Sequence, residues 1–166
     1  MRLLTRSIAF SAALALVAVA AQAAGTVQVS YIQPEKFSDA GDARRDIEGN
    51  LDVLKRHFET LAGRHLQDGQ RLTIEVLDVD LAGEVRPSRR FNQDVRFLRG
   101  GADWPRITLR YTLESAGQAP IRGEQSVTDM DYLHHLNNYA SDEPLRYEKQ
   151  MLNEWFAAQF GAAATH

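Results

Sequence analysis

Apolar and polar residues alternate in three stretches of the chain, which predicts three half-buried β-strands. These stretches are residues 26–32, 72–81 and 106–114. A turn at residues 115–120 separates the last of them from residues 121–128, which indicate a fourth strand returning in a hairpin.

Two further stretches carry apolar residues at helical spacing. One predicts a helix from about Asp42 to Leu66, with a single apolar stripe made of Ile47, Leu51, Leu54, Phe58 and Leu61. The other begins with Ser141 or Asp142 as the N-cap and places Pro144 in the first turn. The order β-α-β-β-β-α predicts an α+β fold, with a mixed sheet of about four strands and both helices on one face.

The alternation slips by one residue inside the second strand. The apolar residues change parity there, from Leu72, Ile74 and Val76 to Leu77, Val79 and Leu81. We expect a bulge or a sharp twist at Val76–Leu77, which would keep both sets on the core side and turn Asp78 and Asp80 outward near the end of the strand.

Residues 83–104 show no dependable periodicity. Loops of this length in compact domains tend to be functional or disordered. Gly100 and Gly101 give this stretch a potential hinge. The alternative is that Phe97 and Leu98 form a short edge strand, which shortens the loop.

The first 23 residues have the pattern of a secretory signal peptide. Arg2 and Arg6 precede an uncharged apolar run, residues 8–21, and small residues at Ala21 and Ala23 fit a cleavage site. The run is shorter than the roughly 18 to 20 residues needed to span a bilayer. We therefore expect a periplasmic or secreted protein in which residues 24–166 form a single globular domain without a transmembrane span.

Charge is unevenly distributed along the mature chain. Without Arg2 and Arg6 it has 17 basic and 22 acidic residues, a balance that disfavours generic polyanion binding. Export also argues against nucleic acid as a partner. Residues 86–110 nevertheless contain seven arginines and two aspartates, whereas acidic residues dominate residues 124–154.

This pattern favours a non-enzymatic binding module in which an arginine-rich loop lies beside an acidic strand end. Guanidinium groups match phosphate and carboxylate bidentately, so the expected partner is an anionic envelope component or another periplasmic protein. The candidate binding residues are Asp78, Asp80, Glu84, Arg86, Arg89, Arg90, Arg96 and Arg110. No cofactor is expected, and the oligomeric state is left open.

Internal charge pairing is the competing interpretation of the same residues. The loop arginines could meet the acidic residues of 142–154, and Asp78 and Asp80 could pair across strands with Arg106 and Arg110. We expect Arg96 or Arg110 to reach one of these aspartates. We also expect residues 147–149, Tyr-Glu-Lys, to lock the last helix to the sheet.

A divalent-metal-dependent hydrolase or cation-binding site is the alternative function. Asp78 with Asp80, and Asp129 with Asp131, are pairs that project to one side of a strand about 6.6 Å apart. Together the four carboxylates could hold a hard cation. A weaker zinc hypothesis uses Asp131, His134 and His135. Gly-x-Ser-x-Gly, HExxH, a Gly-rich phosphate loop and cysteine are all missing from the sequence, so we lean against catalysis.

Four motifs of the chain resemble a bacterial exported family catalogued as domain of unknown function 3016. The motifs are PEKFSD at 34–39, LQDGQRL at 66–72, DVDLAGE at 78–84 continuing into Asp94, Val95 and Arg96, and LRYEKQMLNEWF at 145–156. They extend over nearly the whole mature chain. The resemblance implies export and a shared fold, and it assigns no chemistry because the family has no established activity.

Overall fold

The computed structural model describes residues 24–88 and 93–161, so the predicted signal peptide lies outside the described residues. The strands and helices are β1 Thr26–Tyr31, α1 Arg44–His65, β2 Arg71–Asp80, β3 Glu84–Ser88, β4 Gln93–Phe97, β5 Arg106–Glu114, β6 Ile121–Thr128 and α2 Arg146–Phe160. Within the described part of the chain, no helix is long and apolar enough to cross a membrane.

Four strands form one mixed sheet in the order β1-β2-β5-β6. β1 and β2 are parallel, and α1 supplies the long crossover that parallel neighbours need. β5 is antiparallel to both β2 and β6. The predicted α+β class and the mixed four-stranded sheet are therefore confirmed.

Both helices cover the same face of this sheet and enclose the hydrophobic core. Phe58 of α1 and Phe156 of α2 are fully buried, as are Ile74 and Leu109 of the central strands. The opposite face carries the polar members of each alternating strand, including Arg110. Burying the apolar set supplies most of the favourable free energy of folding and leaves the polar face open to solvent.

The predicted bulge in β2 is present. Val76 lies opposite Leu109 and Asp78 lies opposite Thr108, so Leu77 is the extra residue on the β2 side. Val79 returns to the core face with none of its surface exposed. The bulge thus brings Val79 and Leu81 to the core side, whereas Leu77, the extra residue, is only partly buried.

Residues 83–104 are not the loop that the missing periodicity suggested. β3 and β4 form an antiparallel hairpin that makes its own two-stranded sheet. Phe97, the expected edge-strand residue, ends β4, whereas Leu98 lies beyond it. A two-stranded ribbon outside the main sheet buries little of either face, which explains why its sequence shows no apolar alternation.

The last helix begins at Arg146 with Leu145 as its N-cap, three to four residues after the expected cap at Ser141 or Asp142. Residue 145 adopts a left-handed conformation with φ 54°, and its carbonyl oxygen accepts the N–H of Lys149 as the first helical hydrogen bond. This left-handed residue interrupts helical geometry, so the helix starts only after it and Pro144 lies outside the helix.

Candidate functional site

Arg96 of β4 fixes the base of the hairpin to the main sheet. Its Nη1 donates to the carboxylate of Asp39 at 3.0 Å and to the carbonyl oxygens of Ala82 at 3.1 Å and Gly83 at 3.2 Å. The backbone of Asp39 in turn pairs with the backbone of Asp80 at the end of β2. The hairpin base and the acidic strand end therefore adjoin, but Arg96 is engaged in internal bonds.

A close backbone approach at Gly83 reinforces this anchor. Gly83 has φ 81°, and a Cβ placed on it would lie 2.5 Å from the carbonyl oxygen of Phe97 and 2.6 Å from the Cδ2 of Leu98. Its N–H donates to the carbonyl oxygen of Asp103 at 2.9 Å. Only glycine fits this position without displacing the backbone of β4.

Glu148 of α2 provides a third connection. Its carboxylate is buried and accepts the N–H of Ala82 at 2.8 Å. Burial raises the pKa of this carboxyl, while the hydrogen bond from Ala82 and the charge of Arg96 oppose the shift. Residues 147–149 were expected to lock the helix to the sheet, and Glu148 instead bonds to the segment between β2 and β3; the sequence did not indicate that this acid would be buried.

Two exposed arginines of the hairpin share one carboxylate. Arg86 donates to the Oε2 of Glu84 from Nε at 3.1 Å and from Nη2 at 2.7 Å, and Arg99 Nη2 lies 3.8 Å from the same oxygen. The hydrogen bond from Arg86 is the largest cause that lowers the pKa of Glu84, and the charges of Arg86 and Arg99 add to it. Among the described charged side chains, this group has two cations for one anion.

The competing interpretation expected the loop arginines to pair with the acidic stretch 142–154. The loop arginines that the structure describes form no ion pair with that stretch. Arg86 and Arg99 pair with Glu84, and Arg96 pairs with Asp39. Arg89 and Arg90, the remaining predicted binding residues of this stretch, lie outside the described residues.

Both carboxylates at the acidic end of β2 have local partners, but only Asp80 is paired with a cation. Asp78 accepts the N–H of Ser38 at 2.7 Å and the Ser38 hydroxyl at 2.8 Å. Asp80 pairs with Arg106 Nη2 at 2.6 Å, so this part of the internal pairing hypothesis is confirmed. Both carboxylates therefore bind neighbouring residues of the same chain.

The expectation that Arg96 or Arg110 reaches Asp78 or Asp80 is wrong in its choice of partners. Arg110 lies opposite Glu75 in the β2–β5 register, and it binds Glu75 at 3.0 Å and Glu124 at 3.1 Å. The hydrogen bonds that Arg110 donates, to Glu124 first and then to Glu75, raise the pKa of Arg110. Arg110 therefore belongs to the open face of the sheet and not to the hairpin site.

The aspartate and histidine residues after β6 form a separate network. His134 Nδ1 lies 2.7 Å from Asp131, and His135 lies 3.4 Å from both Asp129 and Asp131. In residues 24–88 and 93–161, no group of three or more His, Cys, Asp or Glu side chains is arranged to hold a metal ion. The structure thus does not bring the two predicted aspartate pairs together.

Comparison with known families identifies the chain at the level of a domain family. A model of the family described as "Protein of unknown function (DUF3016)" matches residues 25–158. This chain belongs to that family. The DUF3016 match extends from β1 into α2 and includes the whole hairpin segment. No curated protein and no solved structure matches the chain.

Proposed function

We propose that this chain is an exported, non-enzymatic binding module whose hairpin holds anionic groups of an envelope component. The observation that supports this most is the group formed by Glu84, Arg86 and Arg99, in which two exposed guanidinium groups share one carboxylate. These three side chains by themselves carry a net positive charge, and the carboxylate of Asp103, which accepts the Arg99 N–H at 2.8 Å, is the nearest acid that competes with a ligand. Phosphate and carboxylate are the groups that arginine binds bidentately.

The anchored base makes the hairpin suitable for binding. Arg96, Gly83 and Glu148 hold the ends of β3 and β4 against the end of β2. A ribbon held in this way loses less conformational entropy when it binds than a free loop does. Arg86 and Arg99 are therefore presented on a fixed support, and Arg89 and Arg90 between the two strands add positive charge in the sequence.

Selectivity for this surface follows from the net charge of the rest of the chain. The mature chain has more acidic than basic residues, so anions are repelled elsewhere and attracted at the hairpin. Binding of this kind weakens as salt concentration rises, because exposed charges are screened beyond about 8 Å at physiological ionic strength.

Binding of fluorescently labelled polyphosphate to the mature chain tests the proposal directly. The double variant Arg86→Ser/Arg99→Ser should bind about tenfold more weakly, because it loses charge-assisted hydrogen bonds to the anion. The matched control, Arg71→Ser/Arg122→Ser, removes two exposed arginines at the opposite end of the sheet. Equal losses in the two double variants would show that net charge, and not the hairpin, determines binding.

Export is tested separately by fractionating cells that make the full chain. The proposal predicts a periplasmic or secreted product whose N-terminus is Ala24, since the signal pattern ends at Ala23. A full-length product in the cytoplasm would contradict it.

A further inference from the structure

The outer edge of β6 has main-chain groups that no other strand of the described residues pairs with. β6 is the last strand of the main sheet, and its one neighbour in the strand order is β5. The N–H of Asp129 donates to the carbonyl oxygen of Pro105, its partner when the register is continued, so the bonds to β5 fall on the odd-numbered residues of β6. The N–H and C=O groups of Ser126 and Thr128 therefore point away from β5, toward the place that a further strand would occupy.

A groove of about 550 Å³ lies between this edge and helix α2. Residues of β6, of the connector after it and of α2 line the groove, and the apolar ones are Val127, Met130, Met151, Trp155 and Ala158. Met130 is 64% exposed, so part of this apolar surface is open to solvent. A strand added to β6 would direct every second side chain toward α2 and into the groove, because alternate side chains of a strand face the same side of the sheet.

Three carboxylates also line the groove, those of Asp129, Asp131 and Glu154. Asp129 is only 8% exposed, and its carboxylate accepts the N–H of Asp131 at 3.0 Å. Glu154 accepts an amide N–H of Gln150 at 2.8 Å. The adjacent histidines contact the two aspartates, and an unperturbed imidazole is mostly neutral above pH 7. Neutral donors of this kind leave the carboxylates charged.

The cations of the neighbouring elements are bound to other acids. Arg106, opposite Thr128 on β5, pairs with Asp80. Lys149 of α2 pairs with Glu143. Among the described residues, neither lysine nor arginine lines the groove. Apolar surface, negative charge and unpaired main-chain groups therefore occur together along one edge of the sheet.

We propose that this groove binds an extended segment of a partner protein, one that alternates apolar with polar residues and has a lysine or arginine at its end. The segment adds a fifth strand beside β6. Main-chain bonds to Ser126 and Thr128 supply affinity, while the groove selects the apolar side chains and the carboxylates select the cation. The inference goes beyond the proposed function, since none of these residues belongs to the arginine group of the hairpin.

Synthetic peptides labelled with fluorescein test the proposal by fluorescence anisotropy at pH 8. The probe KTVTVTVK alternates valine with threonine and has a lysine at each end, and the comparison peptide is ETVTVTVE. The mature chain should bind the lysine peptide about tenfold more tightly or better, because the carboxylates attract lysine and repel glutamate. Equal binding of the two peptides, or no binding of KTVTVTVK, would overturn the inference.

The variant Ser126→Pro tests the pairing of strands. Proline has no N–H, and the N–H of Ser126 does not bond to β5, so the fold should persist while the affinity for KTVTVTVK falls about tenfold. The matched variant Ser126→Ala keeps the N–H and should bind as the wild type does. Urea denaturation checks that both variants fold, and equal peptide affinities would contradict an added strand.

The double variant Asp131→Asn/Glu154→Gln tests the charge at the groove and does not depend on a proline being tolerated. It should weaken binding of KTVTVTVK about fivefold to tenfold, with little change for ETVTVTVE lost to repulsion. The matched control Glu75→Gln/Glu114→Gln removes two acids of β2 and β5 that do not line the groove. Equal losses in the two double variants would show that net charge, and not the groove, selects the peptide.

A second copy of the chain is the competing occupant of this edge. Sedimentation velocity should show a monomeric wild type. A wild-type dimer that Ser126→Pro dissociates would show that β6 pairs with the β6 of another copy, and it would overturn the inference of a separate partner.

Discussion

The open face of the sheet and the hairpin use the same residue types in opposite proportions. On the sheet, one guanidinium, Arg110, is held by two carboxylates, Glu75 and Glu124. On the hairpin, one carboxylate, Glu84, is shared by two guanidinium groups, Arg86 and Arg99. The first group keeps a negative charge and the second keeps a positive one, although all of these side chains are exposed.

This difference shows that the number of arginines in a segment does not locate an anion site. Seven arginines lie between residues 86 and 110, but Arg96, Arg106 and Arg110 are engaged by carboxylates or backbone carbonyls. What matters is the local ratio of guanidinium groups to carboxylates, which depends on strand register.

The largest expected effect concerns the anchor of the hairpin. Gly83→Ala should lower the free energy of unfolding by about 3 kcal/mol, because it adds a backbone clash to the strain of a positive φ. Gly101→Ala is the matched control: its φ is 87°, and a Cβ would meet nothing within 4 Å. It should cost about 1 kcal/mol from backbone strain alone. Urea denaturation gives both values, and equal losses would show that the hairpin base is not tightly packed.

The second prediction compares the loss of stability on removing Arg96, which is bonded at the hairpin base, with the loss on removing Arg110, which is exposed on the sheet. Arg96→Ala should cost about 2 kcal/mol, because it leaves Asp39 and two carbonyl oxygens without their donor. Arg110→Ala, which removes solvent-exposed ion pairs, should cost much less. The same denaturation measurement applies. A larger loss at Arg110 would mean that the sheet face, and not the hairpin base, contains the structural arginine.

The third prediction is that Glu148 and Glu84 make the free energy of unfolding depend on pH in opposite directions. Burial raises the pKa of Glu148, so its contribution is present below 4.5, the pKa of an unperturbed carboxyl, and is lost as pH rises through the folded value. The hydrogen bond from Arg86 lowers the pKa of Glu84, whose contribution is present above 4.5 and is lost as pH falls.

Unfolding free energies measured across the acid range test these signs. Relative to the wild type, Glu148→Gln should gain stability as pH rises above 4.5, and Glu84→Gln should gain stability as pH falls below it. Parallel pH profiles for the two variants and the wild type would show that neither carboxyl has the inferred environment.

Strand periodicity predicted the main sheet well because that sheet buries one face. The two strands of the β5–β6 hairpin have the predicted ends, and the change of parity at Val76 predicted the bulge. The β3–β4 hairpin was missed because a ribbon that buries little of either face imposes no apolar period on its sequence. Helix α2 begins later than predicted because residue 145 is left-handed and separates Pro144 from the helix.

The candidate site was predicted only in part. The sequence indicated that an arginine-rich segment adjoins the acidic end of β2, and the structure places Arg96 beside Asp39 there. The sequence could not indicate which carboxylate each arginine meets. A shift of a few residues in strand register would make Asp78, and not Glu75, the neighbour of Arg110. The burial of Glu148 was also hidden, because an acid at the start of a helix usually lies in solvent.

The smallest effect tests the central claim most directly, by changing the ratio of cations to anions on the hairpin without removing an arginine. Glu84→Gln should tighten binding of labelled polyphosphate about threefold, since it frees two guanidinium groups for the ligand. The matched control Glu75→Gln leaves Arg110 bound to Glu124 and should change affinity little. Tighter binding in Glu84→Gln alone is the predicted result, whereas an unchanged affinity in Glu84→Gln, or an equal gain in Glu75→Gln, would contradict the account.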